Sequence, residues 1–319
     1  MADAYARIEP EERVPLAAHT TVRVGGPARF MAWPRDPAEL QAWLGWACER
    51  RLPWLVLGEG SNVLVADSGY DGLVIVNRRQ PATDFRSASS GGDVRVRVDA
   101  GESLATLVRW SVGKGLAGLE WAVGIPGTVG GAVAGNAGAF GSSMADVAQG
   151  AELSSADGDT YEVSVAELGL SYRRSSLLRD DAPRALLWVD LRFTVDDRSA
   201  CQARAAELLR RRRDTQPLGH SAGSVFRNPE GACAGASGPR SEAPPGAGAL
   251  IEQCGLKGAS VGGACISDKH ANFIINRGDA RASDVVALMN RVRRAVYDRF
   301  RVVLEPEVRM IGGVCLEEL

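Results

Sequence analysis

A run of glycines between positions 124 and 141 limits the folds open to this chain more than any other feature. It reads Gly124-Ile125-Pro126-Gly127-Thr128-Val129-Gly130-Gly131-Ala132 and continues through Asn136 and Gly138. The stretch is too rich in glycine for the interior of a regular helix or strand. Because each glycine adds to the entropic cost of folding, a purely structural loop rarely contains so many. A backbone that lies against a flat ring or a pyrophosphate does need them. The alternative is a mobile loop, although Ile125, Pro126 and Val129 are suited to anchor it.

A second glycine motif, Leu57-Gly58-Glu59-Gly60-Ser61-Asn62, follows a predicted strand. Its glycines let the backbone approach a phosphate and point several N–H groups at it, and Ser61 and Asn62 add side-chain donors. Val63 stands where a G-x-G-x-x-G fingerprint has its third glycine, so a Rossmann dinucleotide site is a poor interpretation. Taken alone, the motif also fits a tight β-turn.

The length and net charge of the chain limit the number of domains and the kinds of partner to expect. The 319 residues are enough for two domains, and a third small one would fit. A net charge of −2 gives no reason to expect a nucleic-acid or membrane partner. No apolar run reaches the roughly 18 residues that span a bilayer. The one dense basic cluster, at residues 211–213, is equally typical of a solvated helix face.

The cysteines and the N-terminal residues predict a compartment. The six cysteines form no C-x-x-C pair and match no zinc pattern, so we expect no metal site. Scattered thiols in a chain of this length fit a reducing environment. Residues 1–13 have neither a basic n-region nor an apolar h-region, so no signal peptide is expected. Together these features predict a cytoplasmic protein.

Helix-like and strand-like patterns alternate irregularly along the chain. Helices are predicted at residues 37–51, 104–114, 200–213 and 284–300, and strands at residues 54–57, 62–65, 73–76, 94–98, 186–195, 273–275, 302–304 and 308–311. Ser283 is expected to cap the last helix. Without regular βαβ alternation, the pattern favours an α+β fold over a doubly wound sheet. Residues 231–248 are almost all Gly, Ala, Ser and Pro, which predicts a flexible surface insertion.

Three further motifs are weak alone and specific in combination. They are Tyr172-Arg173-Arg174-Ser175, Gly223-Ser224-Val225-Phe226-Arg227-Asn228-Pro229 and Glu305-Pro306-Glu307-Val308-Arg309. With the two glycine motifs, G-L-K-G and K-H-A-N-F, in this order, the chain resembles the UDP-N-acetylenolpyruvoylglucosamine reductase (MurB) family. The short gap between Tyr172 and the strand predicted at residue 186 is similar to the type II class, which lacks an extra substrate-covering loop.

The resemblance implies an architecture and a cofactor. It implies an FAD-binding part in two lobes, similar to the vanillyl-alcohol-oxidase (PCMH) type of flavin fold, and a C-terminal α+β substrate domain. We place the lobes at residues 1–68 and 69–200 and the substrate domain at residues 206–319, and we expect a monomer. FAD would bind without a covalent bond, with residues 58–62 around its pyrophosphate and residues 124–132 along its isoalloxazine and phosphate end.

The resemblance also implies the reaction. NADPH would reduce the flavin, and the flavin would reduce UDP-N-acetylglucosamine enolpyruvate to UDP-N-acetylmuramate in peptidoglycan precursor synthesis. Hydride addition to the terminal methylene places negative charge on the neighbouring carbon and its carboxylate. Arg173 matches the family's arginine, and a guanidinium suits a carboxylate that gains charge. Glu307 matches the family's catalytic glutamate. Ser224 matches the family's proton donor. A serine hydroxyl can serve in this role because an enolate carbon is basic enough to accept its proton.

Substrate contacts are expected from Asn228, His270 and Tyr172, with Arg211 or Arg212 near the UDP phosphates. His270 stands where some relatives have Gln. The alternative interpretation is that His270 is only a turn residue.

Two other functions remain open. An FAD-linked oxidase of the same fold would need a base for an alcohol, and the set of Ser224, Arg173 and Glu307 argues against it. A flavin-binding protein without catalytic activity would not need all three of these residues.

Overall fold

The computed structural model describes residues 9–79, 85–90, 92–178, 183–231 and 245–319. The chain divides into two compact units, each discontinuous in sequence. The described residues of unit 1 fall within Met1–Glu12, Phe30–Glu59 and Gly72–Arg212, and those of unit 2 within Arg13–Arg29, Gly60–Asp71 and Arg213–Leu319. The division into two lobes and a substrate domain stays a prediction. The predicted insertion lies mostly outside the described residues, at 232–244.

Helices form at the four places where the apolar periodicity predicts them, and at shorter segments as well. The described helices are α1 (Pro37–Glu49), α2 (Leu104–Gly113), α3 (Val129–Ala134), α4 (Val165–Leu168), α5 (Arg198–Thr215), α6 (Ala247–Gln253) and α7 (Ala282–Phe300). Short 3₁₀ helices cover Leu16–His19, Glu120–Ala122, Met144–Asp146 and Ser176–Leu178. No helix in the described ranges is both long and apolar enough to cross a membrane.

Strands are short, with one exception. They are β1 (Glu11–Pro15), β2 (Pro27–Ala32), β3 (Trp54–Leu57), β4 (Val63–Val65), β5 (Tyr70–Val76), β6 (Arg86–Ser90), β7 (Asp93–Asp99), β8 (Leu116–Ala117), β9 (Gly138–Ala139), β10 (Ser142–Ser143), β11 (Ala148–Ser155), β12 (Thr160–Ser164), β13 (Arg184–Val195), β14 (Ser260–Val261), β15 (Ala264–Ile266), β16 (Ile274–Asn276) and β17 (Arg309–Ile311). The strand predicted at residues 302–304 is wrong. Leu304 is buried there, but the segment pairs with no described strand.

Unit 1 is built on an antiparallel sheet in the order β12-β11-β13-β7-β6, with β8 also paired to β13. The 12-residue strand β13 lies between β11 and β7. Its buried side chains join those of α2 and α3 in one apolar core. In the same unit β3 pairs in parallel with β5, so that β3 delivers the chain into the glycine motif at residue 58.

Unit 2 contains the three-stranded sheet β14-β15-β16 and the parallel pair β4–β17. Helix α7 covers its core with Val285, Leu288, Val292 and Val296, all nearly inaccessible to solvent. These four side chains recur at intervals of three and four residues, which places them on one face of a helix. The pairing of β17 with β4 brings the C-terminal glutamate motif beside the end of the first glycine motif.

The long glycine-rich stretch contains a helix, and the prediction that it has none is wrong. Helix α3 begins after Thr128, whose hydroxyl accepts a hydrogen bond from the Gly131 amide at 3.2 Å. A Cβ on Gly130 would lie 2.9 Å from the Ala100 Cβ, so glycine is what allows the helix to pack this closely. The cap and the packing outweigh the low helix propensity of glycine.

The start of α7 also differs from the prediction. Ser283 lies inside the helix, and the residue that satisfies its first amides is distant in sequence. The Asp67 carboxylate accepts hydrogen bonds from the amides of Ala282 (2.8 Å) and Ser283 (3.1 Å). Burial raises the pKa of the Asp67 carboxyl, but these hydrogen bonds outweigh it and hold the pKa below its ordinary value.

Replacement of Asp67 by alanine is expected to lower the stability of the protein at pH 7 by about 1 kcal/mol, the typical value of a helix cap. The carboxylate form is the one that the fold favours. Its contribution is therefore present above the unfolded pKa of about 3.9 and disappears as the pH falls through the folded value. Thermal unfolding midpoints should separate the variant from wild type at pH 7, and the difference should shrink as the pH falls below the unfolded pKa. Asp71→Ala, which removes an exposed ion pair with Arg29, is the matched control. An equal effect of both variants would contradict the prediction.

Candidate active site

The first glycine motif presents backbone donors. No hydrogen bond within the described residues uses the amides of Gly58, Glu59 or Gly60, although Gly60 is buried. Gly60 has φ +64°, and a Cβ there would lie 2.2 Å from the His19 carbonyl oxygen, so only glycine fits. Consecutive amides held in this way are suited to an anion such as a pyrophosphate.

The two glycine motifs meet within unit 1. The Glu59 carboxylate accepts a hydrogen bond from the Gly127 amide at 2.9 Å. A Cβ on Gly58 would lie 2.5 Å from the Thr128 hydroxyl oxygen, so the two backbones approach more closely than side chains would allow. The Arg78 guanidinium donates to the Gly58 carbonyl oxygen at 2.9 Å and fixes the other side of the motif. This cradle of glycines and unused amides fits FAD.

Glu59→Ala is expected to weaken FAD binding by about tenfold or more. The carboxylate hydrogen bond that joins the two motifs is of the charge-assisted kind, which contributes about 1.5–3 kcal/mol. Quenching of flavin fluorescence in titrations of the apoprotein would measure the change. Glu59→Gln retains an acceptor for the Gly127 amide and should lose less affinity. Equal affinities of wild type and Glu59→Ala would contradict this role.

Arg173 lies on a tight turn that the glycine-rich segment holds. Ser171 and Arg174 exchange two backbone hydrogen bonds, of 3.0 and 3.1 Å, and Arg173 between them has φ +55°, a conformation unfavourable for a residue with a Cβ. Its guanidinium donates to the Gly138 carbonyl oxygen at 2.8 Å. The Tyr172 ring beside it is half exposed. The turn therefore presents a cation and an aromatic ring.

The two candidate phosphate-binding arginines occupy different environments. The Arg212 guanidinium donates to the Val123 carbonyl oxygen at 3.0 Å and lies 5.5 Å from the centre of the Phe140 ring. Burial and the charge of Arg173 lower the pKa of Arg212. Arg211 instead pairs with Glu207 at 2.8 Å on an exposed face. Arg212, next to the glycine-rich segment, is therefore the stronger candidate for binding an anion.

Ser224 and Glu307 are joined through one backbone segment of unit 2. The Glu307 amide donates to the Val225 carbonyl oxygen at 2.8 Å. On the opposite side the Val225 amide donates to the Asn272 carbonyl oxygen at 2.9 Å. Ser224 is half-buried, and its hydroxyl forms no hydrogen bond with another described residue. The serine is thus held rigidly while its hydroxyl is available to a ligand.

Asn272 was not singled out in the sequence, yet it supports this segment. It is buried, its Oδ1 accepts from the Phe226 amide at 3.0 Å, and its Nδ2 donates to the Phe226 carbonyl oxygen at 2.8 Å. Its place in the K-H-A-N-F motif was the available signal.

His270 and Asn228 have donors that point to a ligand role. The His270 Nδ1 accepts a hydrogen bond from the Asn272 amide at 3.2 Å, and burial lowers the pKa of the ring. A neutral ring with an accepting Nδ1 carries its proton on Nε2, which can donate. The Asn228 Oδ1 accepts from the Ala247 amide at 3.0 Å, while its Nδ2 donates to no described residue. Their substrate contacts stay a prediction.

The candidate residues thus form two groups. Arg173, Tyr172 and Arg212 belong to unit 1, and Ser224 and Glu307 belong to unit 2. Their joint action is a proposal. Within the described ranges, no group of three or more His, Cys, Asp and Glu side chains is arranged to hold a metal ion.

Comparison with known proteins gives the family. Residues 28–164 match the model of an FAD-binding domain, and residues 215–311 match that of the C-terminal domain of UDP-N-acetylenolpyruvoylglucosamine reductase. The reductase of Desulfosudis oleivorans is 44% identical over 303 residues, which cover 93% of each chain. That of Chloroflexus aurantiacus is 41% identical over 95% of this chain and 97% of its own. The chain belongs to the UDP-N-acetylenolpyruvoylglucosamine reductase family.

A solved structure of the family agrees with the fold. The crystal structure of UDP-N-acetylenolpyruvylglucosamine reductase (MurB) from Thermus caldophilus superimposes with a TM-score of 0.74 at 37% identity, and the match covers 95% of this chain and 99% of that one. The resemblance stated from the motifs and the predicted α+β fold with an FAD-binding domain are confirmed. The protein is an FAD-containing oxidoreductase of the MurB family.

Proposed function

We propose that the protein reduces UDP-N-acetylglucosamine enolpyruvate to UDP-N-acetylmuramate during peptidoglycan precursor synthesis, with NADPH as the hydride donor. The observation that carries the proposal is the backbone segment that holds Ser224 beside Glu307 in a member of this family. An oxidase of similar fold would need a base for an alcohol in place of a hydroxyl left free to donate a proton.

The cofactor would be held by backbone groups. The unused amides of Gly58, Glu59 and Gly60 would donate to the FAD pyrophosphate, and residues 124–132 would line the isoalloxazine. The FAD held there would supply the hydride chemistry between NADPH and the terminal methylene carbon of the enolpyruvyl group.

The protein's own residues manage the charge and the proton that accompany the hydride. As the carbon–carbon double bond opens, charge builds on the adjacent carbon and its carboxylate. Arg173 would stabilise this carboxylate, because a fixed guanidinium needs no reorganisation when the charge develops. As the neutral acid, Glu307 would help to hold the same group, because only that form has an O–H to donate to it. The Ser224 hydroxyl would then give its proton to the adjacent carbon, which completes the lactyl ether.

The UDP-sugar would be held by neutral donors and one cation. The Nε2–H of His270 and the Nδ2 group of Asn228 would donate to its oxygens. Arg212 would contribute positive charge for the anionic substrate. The half-exposed Tyr172 ring would cover the substrate. A neutral His270 has the same kind of donor as the glutamine found in some relatives. We further propose a monomer located in the cytoplasm, in keeping with the free thiols of the described cysteines.

An anaerobic stopped-flow experiment at the flavin absorbance band tests the function. NADPH should bleach the flavin, and UDP-N-acetylglucosamine enolpyruvate should restore its absorbance in the absence of oxygen. Bleaching without a response to the sugar would refute the proposed substrate. A yellow protein that NADPH does not bleach would favour a non-catalytic flavin-binding role.

A further inference from the structure

A buried asparagine, Asn136, follows two residues after the end of helix α3. Asn136 is 5% exposed and has φ +38°. Asparagine tolerates this left-handed conformation better than other residues with a Cβ. Its backbone amide closes the end of α3 with a hydrogen bond of 3.0 Å to the Val133 carbonyl oxygen.

The Asn136 amide group joins two other segments. Its Nδ2 donates to the Ser171 carbonyl oxygen at 2.8 Å, and its Oδ1 accepts from the Ala145 amide at 3.0 Å. Ser171 opens the turn that carries Arg173. One side chain thus connects the glycine-rich segment with the start of the arginine turn.

Two neighbouring contacts hold the rest of that turn on the same segment. The Ser175 hydroxyl donates to the Ala134 carbonyl oxygen at 2.6 Å, and the Arg173 guanidinium donates to the Gly138 carbonyl oxygen at 2.8 Å. The turn from residue 171 to 175 is therefore fixed at its start, at its end and at its functional side chain. All three partners lie between residues 134 and 138.

We propose that Asn136 is a positioning residue, which sets the place of the Arg173 guanidinium relative to the segment expected to line the flavin. The inference rests on the proposed function. Loss of the Nδ2 donor removes the contact that ties the Ser171 carbonyl oxygen to the glycine-rich segment, while the two backbone hydrogen bonds between Ser171 and Arg174 remain. The turn can then shift relative to that segment. A displacement of about 1 Å at a positioning group can cost about 100-fold in rate. The effect falls on the step in which Arg173 meets the substrate carboxylate and not on cofactor binding.

Asn136→Asp tests the proposal most directly. Aspartate has the same shape, also tolerates positive φ and keeps an acceptor for Ala145, but it sets an oxygen against the Ser171 carbonyl. We expect flavin reoxidation by the enolpyruvyl sugar to slow by about 10- to 100-fold. Flavin reduction by NADPH, FAD affinity by fluorescence titration and the thermal midpoint should match those of the control.

Asn276→Asp is the matched control. Asn276 is equally buried, its Nδ2 donates to the Val22 carbonyl oxygen at 2.9 Å, and its Oδ1 accepts from the Gly278 amide at 2.7 Å. The Asn276→Asp variant thus loses the same kind of hydrogen bond, and the side-chain hydrogen bonds of Asn276 to described residues involve no candidate catalytic side chain. Asn136→Gly, which accepts the backbone conformation and lacks the side chain altogether, is the second test variant.

A double-mutant cycle with Arg173→Lys separates positioning from general support. If Asn136 acts through Arg173, the rate loss caused by Asn136→Asp should shrink to less than about threefold when Arg173 is already lysine. Additive losses would overturn the proposal. The proposal would also be overturned if both Asn136 variants lost FAD affinity or thermal stability to the same degree as they lost the rate of flavin reoxidation by the sugar. Failure of the wild type to respond to the sugar would instead refute the proposed function.

Discussion

Ser224→Ala is expected to leave flavin reduction by NADPH unchanged and to slow the reduction of the enolpyruvyl sugar by about 10²–10⁴-fold, the usual effect of removing a general acid. The serine hydroxyl donates to no other residue in the part of the chain that the structure describes, and NADPH oxidation does not require its proton. Single-turnover stopped-flow records of each half-reaction would measure the two rates separately.

Ser260→Ala supplies the control for this experiment. Ser260 is exposed on β14 of the same unit and should leave both half-reactions within about twofold of wild type. An unchanged rate of sugar reduction in Ser224→Ala would show that Ser224 is not the proton donor. An equal loss in both half-reactions would point to a damaged fold and not to a missing acid.

Arg173→Ala is expected to reduce kcat for sugar reduction by about 10²–10³-fold, the range found when a preorganised group that stabilises transition-state charge is removed. The loss should fall on kcat more than on KM, because the carboxylate gains charge only as the hydride arrives. Steady-state kinetics with varied enolpyruvyl sugar, beside flavin reduction by NADPH, would measure this split.

Arg174→Ala is the neighbouring control. Arg174 is the exposed arginine of the same motif, and its loss removes an equal charge from the sequence. It should keep kcat within about threefold. The prediction would be contradicted if Arg173→Ala raised KM alone, or if Arg174→Ala lost as much kcat as Arg173→Ala. Either result would show that the total positive charge, and not the fixed Arg173 guanidinium, determines the rate of sugar reduction.

Local sequence patterns predicted those parts of the fold that local interactions decide. Helix α7 follows from its apolar periodicity, and β3, β5 and β13 from short apolar runs. Helix α3 could not be predicted from glycine propensity, because the Thr128 cap and the close approach to Ala100 determine it. The start of α7 depends on Asp67, more than two hundred residues away in sequence. No pattern around Ser283 contains that information.

The site follows the same division. Motifs predicted the family, which the comparisons confirm, and the roles given to individual residues stay a prediction. The side chains that hold these residues in place were missed, because Asn136 and Asn272 bond to backbone groups 35 and 46 residues away. A buried asparagine leaves no periodic signal. Arg211 and Arg212 likewise could not be separated by sequence, since adjacent residues of a helix face directions about 100° apart.

The hydrogen bond between the Asn228 side chain and the Ala247 amide has a consequence for how this protein can vary. It joins the two sides of residues 232–244 through a contact of 3.0 Å between the Asn228 Oδ1 and the Ala247 amide nitrogen, and Asn228 is itself expected to contact substrate. Once such a closure exists, doubling the enclosed length costs only about 0.6 kcal/mol. A change in the number of residues here is therefore expected to have little effect on α6. The position is accordingly a natural place to insert a tag or a reporter domain, provided that Asn228 is kept.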